Sequence, residues 1–152
     1  MVIGVISDTH GLLRPEAVAA LAGSDLIVHA GDVGSPEVLE GLRAIAPTRA
    51  VRGNVDTAPW ARALPLTDVV DAGGLRLYVL HDLAALDLDP RAAGLSAVIS
   101  GHSHRPSAHV RDGVLYLNPG AAGPRRFSLP VCVARIEVVD GHLSHDLVDL
   151  DV

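Results

Sequence analysis

Lysine is missing from this chain of 152 residues: all twelve basic residues are arginine. We read that as the codon usage of a GC-rich genome rather than as function. Cysteine occurs once, at Cys132, so no intrachain disulfide can form, which agrees with a reducing, cytoplasmic setting. Aromatic residues make up only 3%, which leaves Val, Leu, Ile and Ala to fill the core and suits parallel or doubly covered sheets. No uninterrupted apolar run approaches the roughly 20 residues of a membrane-spanning helix, so no membrane partner is expected. The opening Met-Val-Ile-Gly-Val-Ile-Ser-Asp has no basic region before its apolar run and reads as a strand, not a leader. Positive charge is also scarce: the net charge is −6 and the pI about 5.6. A general nucleic-acid binder needs a phosphate-neutralising patch, and this chain has none.

What is present describes a globular chain. Hydrophobic residues are 49% and charged residues 20%, and the length suits a single domain spanning residues 1–152. Val2–Ile6 reads as a strand, Pro15–Leu21 as a helix with proline at its first position, and Leu26–Ala30 as a second strand. Ser35 is placed to cap a helix that runs from Pro36 to about Ala46, and a third strand lies near Thr48–Arg52. That β-α-β-α-β order marks a parallel sheet with crossover helices. The second half is richer in strands. Leu66–Val70 and Leu75–Leu80 flank Gly73-Gly74 as a hairpin, and Asp89-Pro90 opens a short helix before the strand Ala97–Ser100. Asp112-Gly113 and Asp140-Gly141 are turn signals between later strands. The expected architecture is an α/β protein, a four-layer α/β/β/α sandwich.

Five polar clusters each follow the end of an expected strand: Asp8-Thr9-His10, Gly31-Asp32, Gly53-Asn54, His81-Asp82 and Gly101-His102-Ser103-His104. Ligands of open α/β sheets sit beyond the carboxyl ends of the strands, so clusters separate in sequence are placed to converge. The pairs Asp8/His10 and His102/His104 are each two residues apart, a spacing that puts both side chains on one side of an extended segment. Glycines 11, 31, 53 and 101 would let the backbone turn tightly beside them. A mixed carboxylate, amide and imidazole set suits divalent ions such as Mn, first, or Fe, Zn and Ni. Seven ligands are too many for one tetrahedral zinc but fit two ions sharing a carboxylate, as in two-metal phosphoryl chemistry.

In that order, Asp-x-His, Gly-Asp, Gly-Asn, His and Gly-His-x-His, the chain resembles the calcineurin-like metallophosphoesterases. The small size and the segment Asn118-Pro119-Gly120-Ala121 resemble their short bacterial and archaeal phosphodiesterase branch. The resemblance runs from Val2 to about Val138. It implies that Asp8, His10, Asp32 and His104 hold a first metal. Asp32 would bridge to a second, completed by Asn54, His81 and His102. It further implies hydrolysis of a small phosphate ester, most readily a diester, by a hydroxide between the metals, with Asp32 and Asn54 in the catalytic group. Two positions depart from the family pattern. Val55 stands where many relatives have the histidine that protonates the leaving group, and Asp82 stands where many have glycine. Asp56 is a doubtful substitute donor, because a carboxylate beside two cations stays ionised. A phosphomonoesterase, or a non-catalytic scaffold like the retromer subunit of this fold, is the alternative. Self-association is left open.

Other residues carry weaker signals. His29 lies inside a strand and is expected to support the site rather than ligate. His109, His142 and His145 have no partner motif and read as surface or packing residues. Arg14 is placed to reach a substrate phosphate, with a solvated loop arginine as the equal alternative. Arg125-Arg126 read as structural, and Trp60 as a loop residue covering the core.

Overall fold

The aliphatic run Val2–Ile6 becomes β1, the middle strand of a five-stranded sheet in the computed structural model, which describes residues 1–152. α1 (Pro15–Leu21) leads to β2 (Leu26–His29), and α2 (Pro36–Arg43) leads to β3 (Thr48–Ala50). The three strands run parallel, as the alternation of strand and helix predicts. Each helix opens on proline, whose fixed φ suits the first helical position. Ser35 occupies the N-cap position of α2, but its side chain makes no capping hydrogen bond. α2 ends at Arg43 rather than near Ala46, in tightening turns that lead into Pro47.

The second sheet begins with the hairpin of β4 (Thr67–Ala72) and β5 (Leu75–Leu80). Its turn, Gly73-Gly74, has φ of +57° and +86°, the left-handed pair that a two-residue hairpin of this twist requires. β6 (Ala97–Ile99) lies between β5 and β8 (Val114–Pro119), parallel to both, and β7 (Pro106–Arg111) closes the edge. The chain then returns to the first sheet. β9 (Cys132–Val139) pairs antiparallel with β1, and β10 (His142–Asp149) lies outside it.

Ile3, Val5 and Val28 of one sheet pack against Leu77, Val79 and Ile99 of the other. The helices cover the outer face of the first sheet, where Leu21 and Leu42 join Ile6 and Ile27; Trp60, in a 3-10 turn (Pro59–Ala63), packs against this layer. The outer face of the second sheet presents Tyr78, Leu80 and Val98. No α-helix covers it. A 3-10 turn (Leu83–Ala85) and a loop carrying Leu86, Leu88 and Leu95 do so instead. The helix expected at Asp89-Pro90 is one turn: Asp89 accepts from the N–H groups of Arg91 and Ala92, and Gly94, with φ of +74°, ends it. The fourth layer of the sandwich is therefore thin. No helix of the protein is long and apolar enough to cross a membrane.

Candidate metal centre

The loops that follow β1, β2, β3, β5 and β6 meet at one edge of the sandwich, and each delivers its polar cluster there. Two groups of ligand atoms result. Asp8, His10 and His104 form one, and Asp32, His81 and His102 the other. In the first, His104 Nε2 lies 3.3 Å from Asp8 Oδ1, and His10 Nε2 lies 3.7 Å from the same oxygen. In the second, His81 Nε2 lies 3.2 Å from Asp32 Oδ2. Asn54 Oδ1 is 3.2 Å from His102 Nδ1 and so adjoins the second group. Asp32 Oδ2 is also 3.8 Å from His10 Nε2, which places this carboxylate between the groups. Ligands about 2.1 Å from a shared ion stand about 3 Å apart when adjacent, so these spacings suit metal coordination.

Burial sharpens the fit. Asp8 Oδ1 and His81 Nε2 are fully buried and have no hydrogen-bond partner. Leaving such an atom unsatisfied costs about 1–3 kcal/mol, which a cation held in each group would remove. Carboxylates and imidazoles together are a donor set that divalent transition ions take, and either group could hold one.

The backbone that carries the ligands is unusual. Asp8, His10, Asp32, His102 and His104 all have φ between +46° and +71°. Left-handed backbone costs a non-glycine residue about 1–2 kcal/mol and concentrates at functional sites. Neither pair projects from the expected extended segment, yet Asp8 and His10 still reach one group as their spacing suggested. His102 and His104 in fact serve different groups. Gly53 and Gly101 are required for close approach rather than for turning. A Cβ on Gly53 would collide with the Asp32 carboxylate, and one on Gly101 with Ser7 and Asp8.

A buried frame holds the loops. His29 is fully buried; its Nδ1 accepts from the Gly31 N–H, so its Nε2–H donates to Thr9 Oγ1, which donates to the Val33 carbonyl. One imidazole thereby ties the Asp8 loop to the Asp32 loop, the supporting role expected of it. Asp56 was weighed above only as a proton donor. Its carboxylate is instead buried and accepts three backbone N–H bonds, from Val33, Gly34 and Gly53. It clamps the Asp32 loop to the Asn54 loop and is not free to act on a substrate. Two apolar-looking neighbours, Val55 and Gly53, gave no hint of this clamp in the sequence. The Ala30 carbonyl accepts from His81 Nδ1–H, which leaves Nε2 lone pair free for a cation. Asp82 does not orient His81; it caps the following 3-10 turn through the Ala84 N–H.

Charges within the site are coupled. Burial pulls His81 down, but the adjacent Asp32 carboxylate, the Ala30 carbonyl and Asp8 outweigh it and raise the imidazole above the ordinary histidine value. Burial pushes Asp32 up, yet His81, the Val55 N–H and His10 bring it below the usual carboxylate value. Burial also holds His104 below the ordinary value, against the pull of Asp8. His29 is pushed down to about 3, chiefly by burial and then by His81.

Around the centre, Arg14 donates from Nε to the Gly123 carbonyl, beside the Asp8–Thr9 backbone. Arg125 bonds the carbonyls of Leu129 and Val152, the structural role expected of it. Both arginines line a cleft of about 210 Å³ with His10 and His104, and the Arg126 charge acts on the His104 imidazole. His109 stacks on Tyr116, and His142 and His145 are exposed on β10.

Residues 1–141 match the calcineurin-like phosphoesterase superfamily domain. A probable metallophosphoesterase of Methanothermobacter thermautotrophicus is 35% identical over 150 residues, covering 90% of this chain and 87% of that protein. A novel archaeal phosphodiesterase of known structure superposes with a TM-score of 0.79 at 22% identity, over 97% of this chain and all of the other. Vps29 of Entamoeba histolytica complexed with zinc superposes at 0.74 with 23% identity, over 98% and 99% of the two chains. At such identities the structural likeness establishes the fold.

Proposed function

The chain belongs to the calcineurin-like phosphoesterase superfamily, and from that premise we propose that it is a metal-dependent phosphodiesterase. The observation that carries this reading is the convergence of all seven expected ligands into two adjoining groups with Asp32 between them. Asp8, His10, Asp32 and His104 would hold one divalent ion, and Asp32, Asn54, His81 and His102 the other. Two ions so held supply Lewis acidity to a phosphoryl oxygen and lower the pKa of water at neutral pH.

The protein's own residues do the rest. Asp32 keeps Oδ2 toward both groups because its Oδ1 is fixed by the Val55 N–H. His81 presents Nε2 because Ala30 takes its other nitrogen. Asn54 and His102 are exposed, so the second group faces solvent and is where a substrate arrives. Arg126 is positioned at the opposite flank to receive phosphoryl oxygens. Manganese is the first expectation for the ion, and a small phosphate ester for the substrate.

A scaffold on the same fold is free to lose ligands, and none is lost here. Metal occupancy alone does not separate the two readings, because Vps29 was solved with zinc. Turnover does. Purified protein should contain close to two divalent ions per chain and hydrolyse bis-p-nitrophenyl phosphate faster than p-nitrophenyl phosphate. A metal-loaded protein that turns over neither ester would leave the scaffold reading standing, and a preference for the monoester would replace diesterase with monoesterase.

A further inference from the structure

The two flanks of the centre differ in kind. On the side of His10 and His104 the cleft is small and lined by no hydrophobic residue. On the side of Asn54, His81 and His102 a cavity of about 510 Å³ opens, with Tyr78 and Leu80 of β5 as its apolar wall and Leu66 at its rim. Leu66 is 62% exposed and extends the apolar wall to the solvent edge. The size falls within the range of pockets that hold whole small molecules, and far exceeds what a phosphoryl group needs.

The polar groups of this cavity are specific. Half-buried Arg52 lines it with a guanidinium, which can only donate. Asp87 supplies an exposed carboxylate, an acceptor only. An occupant that offers an acceptor to Arg52 and a donor to Asp87, with a flat body against Leu66 and the edges that Tyr78 and Leu80 leave uncovered, satisfies all three. A second anionic group would meet Asp82 and Asp87 in the same wall and is disfavoured.

We propose that this cavity, lined by Arg52, Leu66, Tyr78, Leu80 and Asp87 beside Asn54, His81 and His102, binds one arm of the substrate: an uncharged, planar, hydrogen-bonding alcohol of nucleoside size. The proposal rests on the phosphoesterase reading only for where the phosphate sits. The cavity makes Arg52 and Leu66 specificity-determining residues, and the preferred substrates nucleoside-like esters rather than small alkyl ones.

The test compares two ligands with the same phosphate and different bodies, thymidine 5′-monophosphate and methyl phosphate, binding to manganese-loaded protein in calorimetric titrations. Thymidine 5′-monophosphate should bind at least about tenfold tighter, a gain equal to about 1.4 kcal/mol. Arg52→Met and the surface variant Leu66→Glu should each cut that ratio several-fold. The variant Leu66→Glu guards against a folding defect, since its side chain is exposed. Three results overturn the proposal: no binding of the nucleotide, a ratio near one, or a ratio that survives both changes. If the ratio behaves as expected while bis-p-nitrophenyl phosphate is not hydrolysed, the cavity stands and the phosphodiesterase reading falls. Hydrolysis with a ratio near one gives the reverse.

Discussion

The backbone N–H of Val55 donates to Oδ1 of Asp32 over 3.0 Å. The residue whose side chain has no proton to give thus fixes, through its backbone, the carboxylate that lies between the two ligand groups. Asp32 Oδ2 is left 3.2 Å from His81 and 3.8 Å from His10.

Asp32→Asn should therefore keep the Val55 contact and lose the charge. A neutral amide cannot offset two adjacent divalent ions, so at least one metal should be lost and activity should fall about 10²-fold or more. The fold should survive, because the core beneath the site is aliphatic. Elemental analysis and thermal unfolding of the variant check both halves. Full metal content with near-normal turnover would remove the shared-carboxylate assignment.

The leaving group is the next expectation. Val55 is 48% exposed beside the site and cannot protonate a departing oxygen, and Asp56 is occupied by three backbone N–H groups. A positioned general acid contributes about 10²–10⁴-fold to such a step. Aryl diesters such as bis-p-nitrophenyl phosphate should be cleaved far faster than alkyl diesters, and Val55→His should narrow the gap by helping the poor leaving groups. Equal rates for aryl and alkyl diesters, where chemistry limits turnover, would reveal a donor elsewhere.

Asp56→Ala removes the acceptor of Val33, Gly34 and Gly53 at once. Each stranded buried N–H costs about 1–3 kcal/mol, so a loss of about 3 kcal/mol or more is expected, with weakened metal binding as the Asp32 and Asn54 loops separate. Asp56→Asn should be milder, because one oxygen remains. Denaturant titration and metal stoichiometry measure these effects. Undiminished stability in Asp56→Ala would mean that the clamp contributes nothing.

Acidification should act in two ways. Imidazoles must be neutral to ligate, and His81, raised above the ordinary value, takes up its proton early as pH falls. Metal affinity should drop through that range and recover with excess metal; occupancy unchanged down to pH 4 would contradict the histidine-rich set. Separately, His29 binds a proton near 6.5 when unfolded but only near 3 when folded. Its contribution is intact above about 6.5 and lost as pH falls toward 3, by at most about 5 kcal/mol. Unfolding of metal-free protein should show that slope, and His29→Gln should flatten it.

Much of this protein was legible in its sequence. Short aliphatic runs, prolines opening helices and Gly-Gly, Asp-Gly turn pairs specify strands, helices and hairpins through local backbone preference, so β1, α1 and the β4–β5 hairpin lie close to where they are expected. The order of the polar clusters after the strands marked the seven candidate ligands. What the sequence could not display was contact between loops. The Asp56 clamp, the His29 strut and the approach of Arg126 to His10 and His104 depend on distances between segments far apart in the chain. The thin fourth layer was hidden for a similar reason, since a single capped turn and a short helix begin with the same residues.

The sequence by itself determined which side chains lie beyond the strand ends, because strand direction and turn chemistry are local. Only the tertiary structure decided how they divide. His102 and His104 are two apart in the chain and both left-handed, yet they join different groups, whereas Asp8 and His10, with the same spacing and backbone, join the same one. That conformation is disfavoured locally and persists because other segments hold it: the His102 N–H donates to Asp8 Oδ2, the Gly101 N–H to the His81 carbonyl, and the Asn118 amide to the Gly101 carbonyl and Ser103 Oγ.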